Sequence, residues 1–121
     1  MHTVAHTHAF VRAAAEAGMT EKEVDLLVQF LAEHPMTGTE IPGTGGCRKV
    51  RWGRKGKGKR GGYRTITFYT GDRMPVFLIT VFAKGERSDL TQSERNRLGV
   101  TTKAIVAEYQ SKVANVARKG A

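Results

Sequence analysis

The chain has 121 residues, a length that accommodates one compact domain around a single hydrophobic core. Hydrophobic residues make up 40% of it and charged residues 26%, which is typical of soluble globular proteins, and no apolar run reaches the roughly 18 residues of a membrane-spanning helix. The N-terminus lacks the basic start and apolar core of a secretory signal, and the only cysteine, Cys47, cannot form an internal disulfide bond. We therefore expect a cytoplasmic protein.

The formal net charge is +9, and the charge is unevenly distributed along the chain. Residues 1–40 carry two basic and six acidic side chains, whereas residues 41–71 carry nine basic side chains and no acidic one. A segment that excludes one sign of charge attracts polyanions. The charge pattern therefore predicts a nucleic-acid partner first and an acidic protein partner second, and the two are compatible.

The N-terminal third is predicted to form two helices after a short strand or extended segment at residues 2–9. An alanine-rich helix over 10–17 comes first. Thr20 and Glu23 then form a capping-box pattern at the start of a second helix, which ends before Pro35. Its apolar residues recur at helical spacing, at Val24, Leu27, Val28 and Leu31.

After a loop at 36–46, the central segment changes to the two-residue period of strands. Residues 47–53 and 63–69 form a hairpin around the glycine- and lysine-rich tip 54–62. The nearly all-apolar residues 75–83 form a third strand that is covered on both faces. Short connections make the three strands an antiparallel meander.

The C-terminal third is predicted to be helical. A second capping-box pattern, Thr91 with Glu94, starts a short helix that Gly99 interrupts, and a terminal helix follows. Along one face of that terminal helix lie Ile105, Tyr109, Val113 and Val116. The order of elements predicts an α+β fold, in which an N-terminal helical hairpin and a C-terminal helix pack on one curved antiparallel sheet.

Two cations of the first strand are candidates for chemistry. Lys49 and Arg51 alternate with Val50 and Trp52, so a rigid strand holds both cations on the same side. Fixed positive charge at a phosphodiester stabilises a phosphorane-like transition state. This pattern therefore predicts a site that acts on a nucleic-acid backbone.

A third cation, Arg64, shares its side of the next strand with Ile66 and other apolar residues. A charge on an apolar face needs a reason, and two are open: a phosphate clamp, or an internal salt bridge to Asp89 or Glu86. Lys84 directly follows the apolar strand. It is either a member of the same site or an ordinary surface lysine.

The basic segment lacks the usual acid–base residues of a secreted ribonuclease. All four histidines lie outside residues 41–71, and that segment has no carboxylate. Proton transfer in a nuclease would then be done by lysine, tyrosine or the RNA itself. Lys49 is the candidate general base, because the cations Arg48, Arg51 and Arg64 disfavour its charged form.

Two further patterns carry less weight. His6 and His8 have a spacing that could hold a metal ion on one strand face, but no cysteine or carboxylate cluster joins them, so surface histidines are the simpler interpretation. Residues 56–61 match the glycine fingerprint of dinucleotide-binding proteins, yet they lie between two strands, whereas that fingerprint joins a strand to a helix. We therefore expect neither a metal ion nor a cofactor.

Three blocks of the sequence resemble, in order, the RelE/HigB toxins of bacterial type II toxin–antitoxin systems, and the HigB-like branch most of all. The blocks are residues 41–52 (IPGTGGCRKVRW), 61–64 (GGYR) and 81–90 (VFAKGERSDL). The resemblance covers residues 1–98 and implies a microbial-ribonuclease-like fold of the RelE/ParE type. It also implies metal-independent cleavage of mRNA in the ribosomal A site, inhibition of translation, and neutralisation by a cognate antitoxin.

The same resemblance implies which residues act on the RNA. The catalytic residues would be Lys49, Arg51, Arg64 and Lys84. The other cations, which we assign to binding of RNA or the ribosome, are Arg48, Arg54, Lys55, Lys57, Lys59, Arg60 and Arg87. The sequence departs from the RelE pattern at Gly85, where that pattern has an arginine, and at Thr91, where it has a tyrosine. A tyrosine-assisted mechanism therefore does not transfer.

Residues 1–98 are thus predicted to form the toxin domain and residues 99–121 a helical extension. Two other functions stay open at this point: a non-catalytic RNA- or ribosome-binding module, and a gyrase poison of the ParE type on the same fold. The predicted partners are an antitoxin protein, the ribosome and mRNA, with no membrane and no small-molecule cofactor.

Overall fold

In the computed structural model, a short strand and two helices precede four further strands and a long third helix. The elements are β1 (Val4–His6), α1 (His8–Glu16), α2 (Glu21–Glu33), β2 (Thr39–Glu40), β3 (Cys47–Arg54), β4 (Gly58–Phe68), β5 (Val76–Ala83) and α3 (Gln92–Lys119). The structure describes residues 2–54, 58–71, 73–83 and 89–119, and the side chains of all of these except 54, 58–61 and 115–119. The predicted α+β fold class is confirmed.

Local hydrogen bonds fix the ends of the two N-terminal helices. The Thr7 side chain accepts the backbone N–H of Phe10 at 3.1 Å, so α1 begins two residues earlier than predicted. Gly18, in the left-handed region at φ 77°, follows its last turn. The capping box of Thr20 and Glu23 is formed, with donor–acceptor distances of 2.9 and 3.1 Å, and α2 ends before the proline as predicted.

The five strands lie in the order β1-β5-β4-β3-β2. Strands β3, β4 and β5 form the predicted antiparallel meander, with Cys47 opposite Phe68 and Tyr63 opposite Ala83. Strand β1, for which the sequence predicted no partner, pairs in parallel with β5, so the complete sheet is mixed rather than purely antiparallel. The predicted hairpin tip was also too long, since β4 already begins at Gly58.

Helices cover the sheet on both faces, and successive side chains along its strands point alternately into two cores. One core joins α1 and α2 to Val50, Tyr63, Leu78, Val81 and Ala83. The other joins α3 to Cys47, Ile66, Phe68, Ile79 and Phe82. The prediction that the third strand of the meander is covered on both faces is confirmed, because β5 contributes buried side chains to both cores.

Helix α3 runs from Gln92 to Lys119 without a break, so the predicted interruption at Gly99 is wrong. The glycine serves a close approach instead: a Cβ at Gly99 would lie 3.1 Å from the carbonyl oxygen of Gly43. Next to it, the buried Thr102 hydroxyl donates to the carbonyl oxygens of Thr44 at 2.8 Å and Gly99 at 3.1 Å. These contacts tie α3 to the loop before β3.

Between Gln92 and Ala114, where the side chains of α3 are described, the predicted apolar face becomes more exposed toward the C-terminus. On the predicted apolar face, Ile105 and Tyr109 are half-buried, whereas Val113 is 51% exposed. The helix also passes through the predicted domain boundary at residues 98/99 as one element. None of the helices in the described ranges is long and apolar enough to cross a membrane.

Candidate active site

Register across three strands brings the predicted cations together. Arg51 on β3 lies directly opposite Arg64 on β4, and Arg64 lies opposite Phe82 on β5. Lys49 lies opposite Ile66, two residues further along the same strands. Since Ile66 and Phe82 belong to the core beneath α3, Lys49, Arg51 and Arg64 lie on that same face of the sheet.

Arg64 is the buried member of this cationic group, with 5% of its surface exposed, whereas Arg51 is exposed. Burial, and then the neighbouring Arg51 cation, lower the pKa of Arg64, while the Asp89 carboxylate raises it. Like charges directly opposite each other on a sheet are destabilising. An anion held between the two guanidinium groups would offset that cost, so the pair is suited to bind a phosphate group.

A carboxylate also lies at the cationic group, although residues 41–71 contain none. Asp89 Oδ1 lies 3.1 Å from Lys49 Nζ, and Asp89 Oδ2 lies 3.5 Å from Arg95 Nη2. The backbone N–H of Leu90 donates to Oδ1 at 2.7 Å. This backbone hydrogen bond, followed by the effects of Lys49 and Arg95, lowers the pKa of Asp89 although partial burial opposes the shift. Asp89 is therefore ionised at neutral pH and forms an ion pair with Lys49.

From the sequence, Asp89 was expected only as one possible salt-bridge partner of Arg64, the other being Glu86. In the structure its two oxygens instead bind Lys49 and Arg95, and its charge acts on Arg64 through space. Sequence spacing could not reveal the pair, because 40 positions separate Lys49 from Asp89. The sequence reasoning also missed Arg95 as a site residue. Its position in the first turn after the second capping box places it at the N-terminal end of α3, which follows Asp89 directly.

The remaining predicted site residues fall into three groups. Arg48 lies on the other face of β3 from Lys49, where its guanidinium donates to the carbonyl oxygen of Gly38 at 3.2 Å. Arg54, Lys59 and Arg60 lie on β3 and β4, and their side chains are outside the described part of the chain. Lys55, Lys57, Lys84 and Arg87 lie outside the described residues altogether. Their assignment to catalysis or binding stays a prediction.

Other reactive side chains lie away from the cationic group. The burial of Cys47 raises the pKa of its thiol to about 11, so the sulfur is protonated and packs as a small apolar group. The His6 ring packs on Phe10, with ring centroids 5.7 Å apart. Among the residues that the structure describes, no group of three or more histidine, cysteine or acidic side chains could hold a metal ion.

Comparison with known proteins agrees with this fold and with the resemblance to RelE toxins, whereas the likeness to the HigB-like branch stays a prediction. The family model for the RelE toxin of the RelE/RelB toxin–antitoxin system matches residues 2–121. A solved structure of the E. coli toxin RelE in the free state, carrying two arginine-to-alanine substitutions, superimposes with a TM-score of 0.50 at 17% identity. The match covers 84% of this chain and 96% of that chain, and at this identity the likeness is one of fold. The family model spans nearly the whole sequence, and the chain therefore belongs to the RelE toxin family.

Proposed function

We propose that the protein is a ribosome-dependent endoribonuclease, the toxin of a toxin–antitoxin pair, which inhibits translation in the cytoplasm by cutting mRNA in the ribosomal A site. The observation that supports this proposal most is the placement of Lys49, Arg51 and Arg64 on one face of the sheet. Fixed cations of this kind stabilise the charge that develops on a reacting phosphate. An RNA-binding module without chemistry would use the same cations to bind phosphates, and the cleavage assay described below distinguishes it from the enzyme.

The proposed reaction uses the RNA's own 2′-hydroxyl group. Its oxygen attacks the adjacent phosphorus, the bond from phosphorus to the 5′-oxygen breaks, and the products are a 2′,3′-cyclic phosphate and a 5′-hydroxyl. Arg51 and Arg64 would bind the nonbridging oxygens, whose negative charge increases in the transition state. Because Arg64 is buried, its guanidinium is screened little by water, and we expect it to contribute more than Arg51.

Lys49 is the candidate for proton transfer. In the proposed reaction one proton leaves the 2′-oxygen and one reaches the 5′-oxygen. A lysine that forms an ion pair with a carboxylate is a proton donor, and Asp89 Oδ1 lies 3.1 Å from Lys49 Nζ, whereas the sequence had favoured a general base at this position. We therefore propose that Lys49 donates the proton to the 5′-oxygen while the 2′-oxygen gives its proton to water, and that Asp89 sets where the lysine side chain lies before the substrate arrives.

The described side chains of the site support the proposed dependence on the ribosome. Apart from Lys49 and Asp89, the described side chains at the cationic group are arginines, which bind phosphate but do not exchange protons near neutral pH. A ribosome that holds the mRNA in a reactive geometry would supply the positioning that free RNA lacks. We therefore expect efficient cleavage of ribosome-bound message and slow cleavage of naked RNA.

Primer extension on defined ribosome complexes tests the proposed function. The purified toxin is added to ribosomes stalled on an mRNA of known sequence, and to the same mRNA without ribosomes. New 5′ ends within the A-site codon are expected from the first mixture alone. Rapid cleavage of naked mRNA at equal toxin concentration would refute ribosome dependence, and no cleavage in either mixture would favour the non-catalytic binding module.

An antitoxin is the second partner that we propose, since the family is that of a toxin–antitoxin system. The segment 41–71, with nine basic and no acidic side chains, offers an acidic partner a surface that overlaps the cationic group. Hydrogen exchange of the complex tests this placement. Protection of β3 and β4 is expected, whereas protection confined to residues 10–34 would rule out direct masking of the site.

A further inference from the structure

Three separate elements meet at the Asp89 carboxylate. Lys49 comes from β3, Asp89 from the segment before α3, and Arg95 from the first turn of α3. The two cations bind different oxygens, Lys49 at Oδ1 and Arg95 at Oδ2. The carboxylate is thus held from two sides, and a third contact, the backbone N–H of Leu90, fixes Oδ1. Such an arrangement restricts rotation of the carboxylate.

The first turn of α3, which carries Arg95, is itself fixed in place. The second capping box is formed: Glu94 accepts the backbone N–H of Thr91 at 2.8 Å, and Thr91 accepts the backbone N–H of Glu94 at 3.1 Å. The N–H of Arg95 donates to the carbonyl oxygen of Thr91 at 3.1 Å. The start of the helix is therefore a rigid support for the Arg95 side chain.

We infer that Arg95 is a positioning residue for the active site: it holds Asp89, and Asp89 holds the Lys49 ammonium where the RNA binds. This inference rests on the proposed ribonuclease function. A lysine side chain has four rotatable C–C bonds, and the Lys49 side chain is 28% exposed. Without a fixed partner its amine would therefore sample many positions. A displacement of about 1 Å at a reacting group can slow catalysis by about 10²-fold.

A purely structural role for the three charges is a poor alternative. The side chains of Asp89 and Arg95 are 43% and 39% exposed, and ion pairs at such exposure contribute little to folding stability. Loss of Arg95 should therefore leave the fold intact and change the site. Among the side chains that the structure describes, three charged groups face the Asp89 carboxylate or act on it through space: Lys49 from β3, Arg64 from β4 and Arg95 from α3.

The first experiment compares Arg95→Gln with Arg97→Gln. Each variant loses one positive charge, and the two positions lie two residues apart on α3. Arg97, however, is exposed and belongs to none of the described ion pairs. Single-turnover cleavage on saturating ribosome complexes should slow about 10-fold in Arg95→Gln and be unchanged in Arg97→Gln. Arg95→Lys, which keeps a cation, should recover part of the rate. Equal slowing of the two glutamine variants would overturn the inference, because it would show a general charge effect.

The second experiment asks whether Arg95 acts through Lys49. If it does, Arg95→Gln should slow cleavage in the wild-type background and have almost no further effect in Lys49→Gln. Independent, multiplying losses in the double variant would contradict the positioning role and point to direct contact between Arg95 and the RNA. The single variants also serve as folding controls, through circular dichroism.

A third measurement separates this inference from the proposed function, because it needs no RNA. The pKa of Asp89, followed by carbon-detected NMR, should rise in Arg95→Gln and stay at its wild-type value in Arg97→Gln, since Arg95 is one of the charges that lower it. If wild-type protein fails to cleave ribosome-bound mRNA while this shift is observed, the proposed function is wrong but the charge contact stands. An unchanged Asp89 pKa would refute the contact itself.

Discussion

Replacing Arg64 by methionine tests whether its buried charge is needed for cleavage. Arg64 is 5% exposed and lies opposite Phe82, so alanine would remove packing as well as charge. Methionine keeps an unbranched apolar stem of similar length, which fills the same space without the guanidinium group. The substitution therefore separates the electrostatic contribution of Arg64 from its contribution to the core.

The expected loss follows from the burial of the group. Removing one preorganised donor from a site that stabilises a developing oxyanion slows the chemical step by about 10²- to 10³-fold, or about 2.7–4 kcal/mol. Arg64 should fall near the upper end, because water screens a buried cation little. Arg51 is exposed, and we expect Arg51→Met to slow cleavage by about 10-fold.

Single-turnover primer extension at saturating toxin measures the chemical step without a contribution from binding. Circular dichroism and urea unfolding come first, because an Arg64→Met protein that fails to fold would favour the internal salt bridge over the phosphate clamp. A folded Arg64→Met protein that cleaves within about threefold of the wild-type rate would refute the electrostatic argument. An effect of Arg51→Met larger than that of Arg64→Met would contradict the reasoning from burial.

Three further predictions concern neighbouring residues. Lys49→Arg keeps the positive charge but cannot exchange a proton near neutral pH, so cleavage should slow by about 10²-fold or more. Lys22→Arg on α2 is the control and should cleave at the wild-type rate. A Lys49→Arg rate equal to wild type would show that Lys49 acts by charge alone. Thr91→Ala removes the capping box of α3 and should lower the free energy of unfolding by about 1 kcal/mol in urea titration. Asp89→Asn should lower the free energy of unfolding only slightly at neutral pH, by less than about 1 kcal/mol because the ion pairs are exposed, and not at all in acid. Folding lowers the pKa of Asp89, so this small contribution is full above the ordinary value of 3.8 and disappears as pH falls through the lowered one. A difference in melting temperature between Asp89→Asn and wild type that is the same at pH 7 and pH 2 would contradict this.

Interactions between residues close in sequence were the ones that the sequence predicted well. Both capping boxes are present, because the Thr and Glu of each pattern need only the local helical geometry to meet. The predicted two-residue alternation around Lys49 and Arg51 is confirmed, because successive side chains of a paired strand point to opposite faces of the sheet. That Arg64 shares their face depends on the register of β3 against β4, which alternation within one strand does not predict.

Features that depend on distant partners were not predictable in the same way. The parallel pairing of β1 was missed because a three-residue strand has no periodicity of its own, and its register is set by β5, more than 70 positions away. Gly99 was predicted to interrupt a helix, because the intrinsic helix propensity of glycine is low, yet the close approach of Gly43 favours glycine at that position. Asp89 joined the site for the same kind of reason, through folding of remote segments.

The attachment of α3 to the loop before β3 has a consequence for how the toxin is made. Thr102 bonds to a carbonyl 58 positions earlier, and Leu98 packs under a sheet whose strands were synthesised long before it. A nascent chain that has not yet released α3 therefore leaves Phe68 and Ile79 uncovered and has no Arg95 beside Asp89. Closure of the core beneath α3 and assembly of the contacts among Lys49, Asp89 and Arg95 therefore await synthesis of α3.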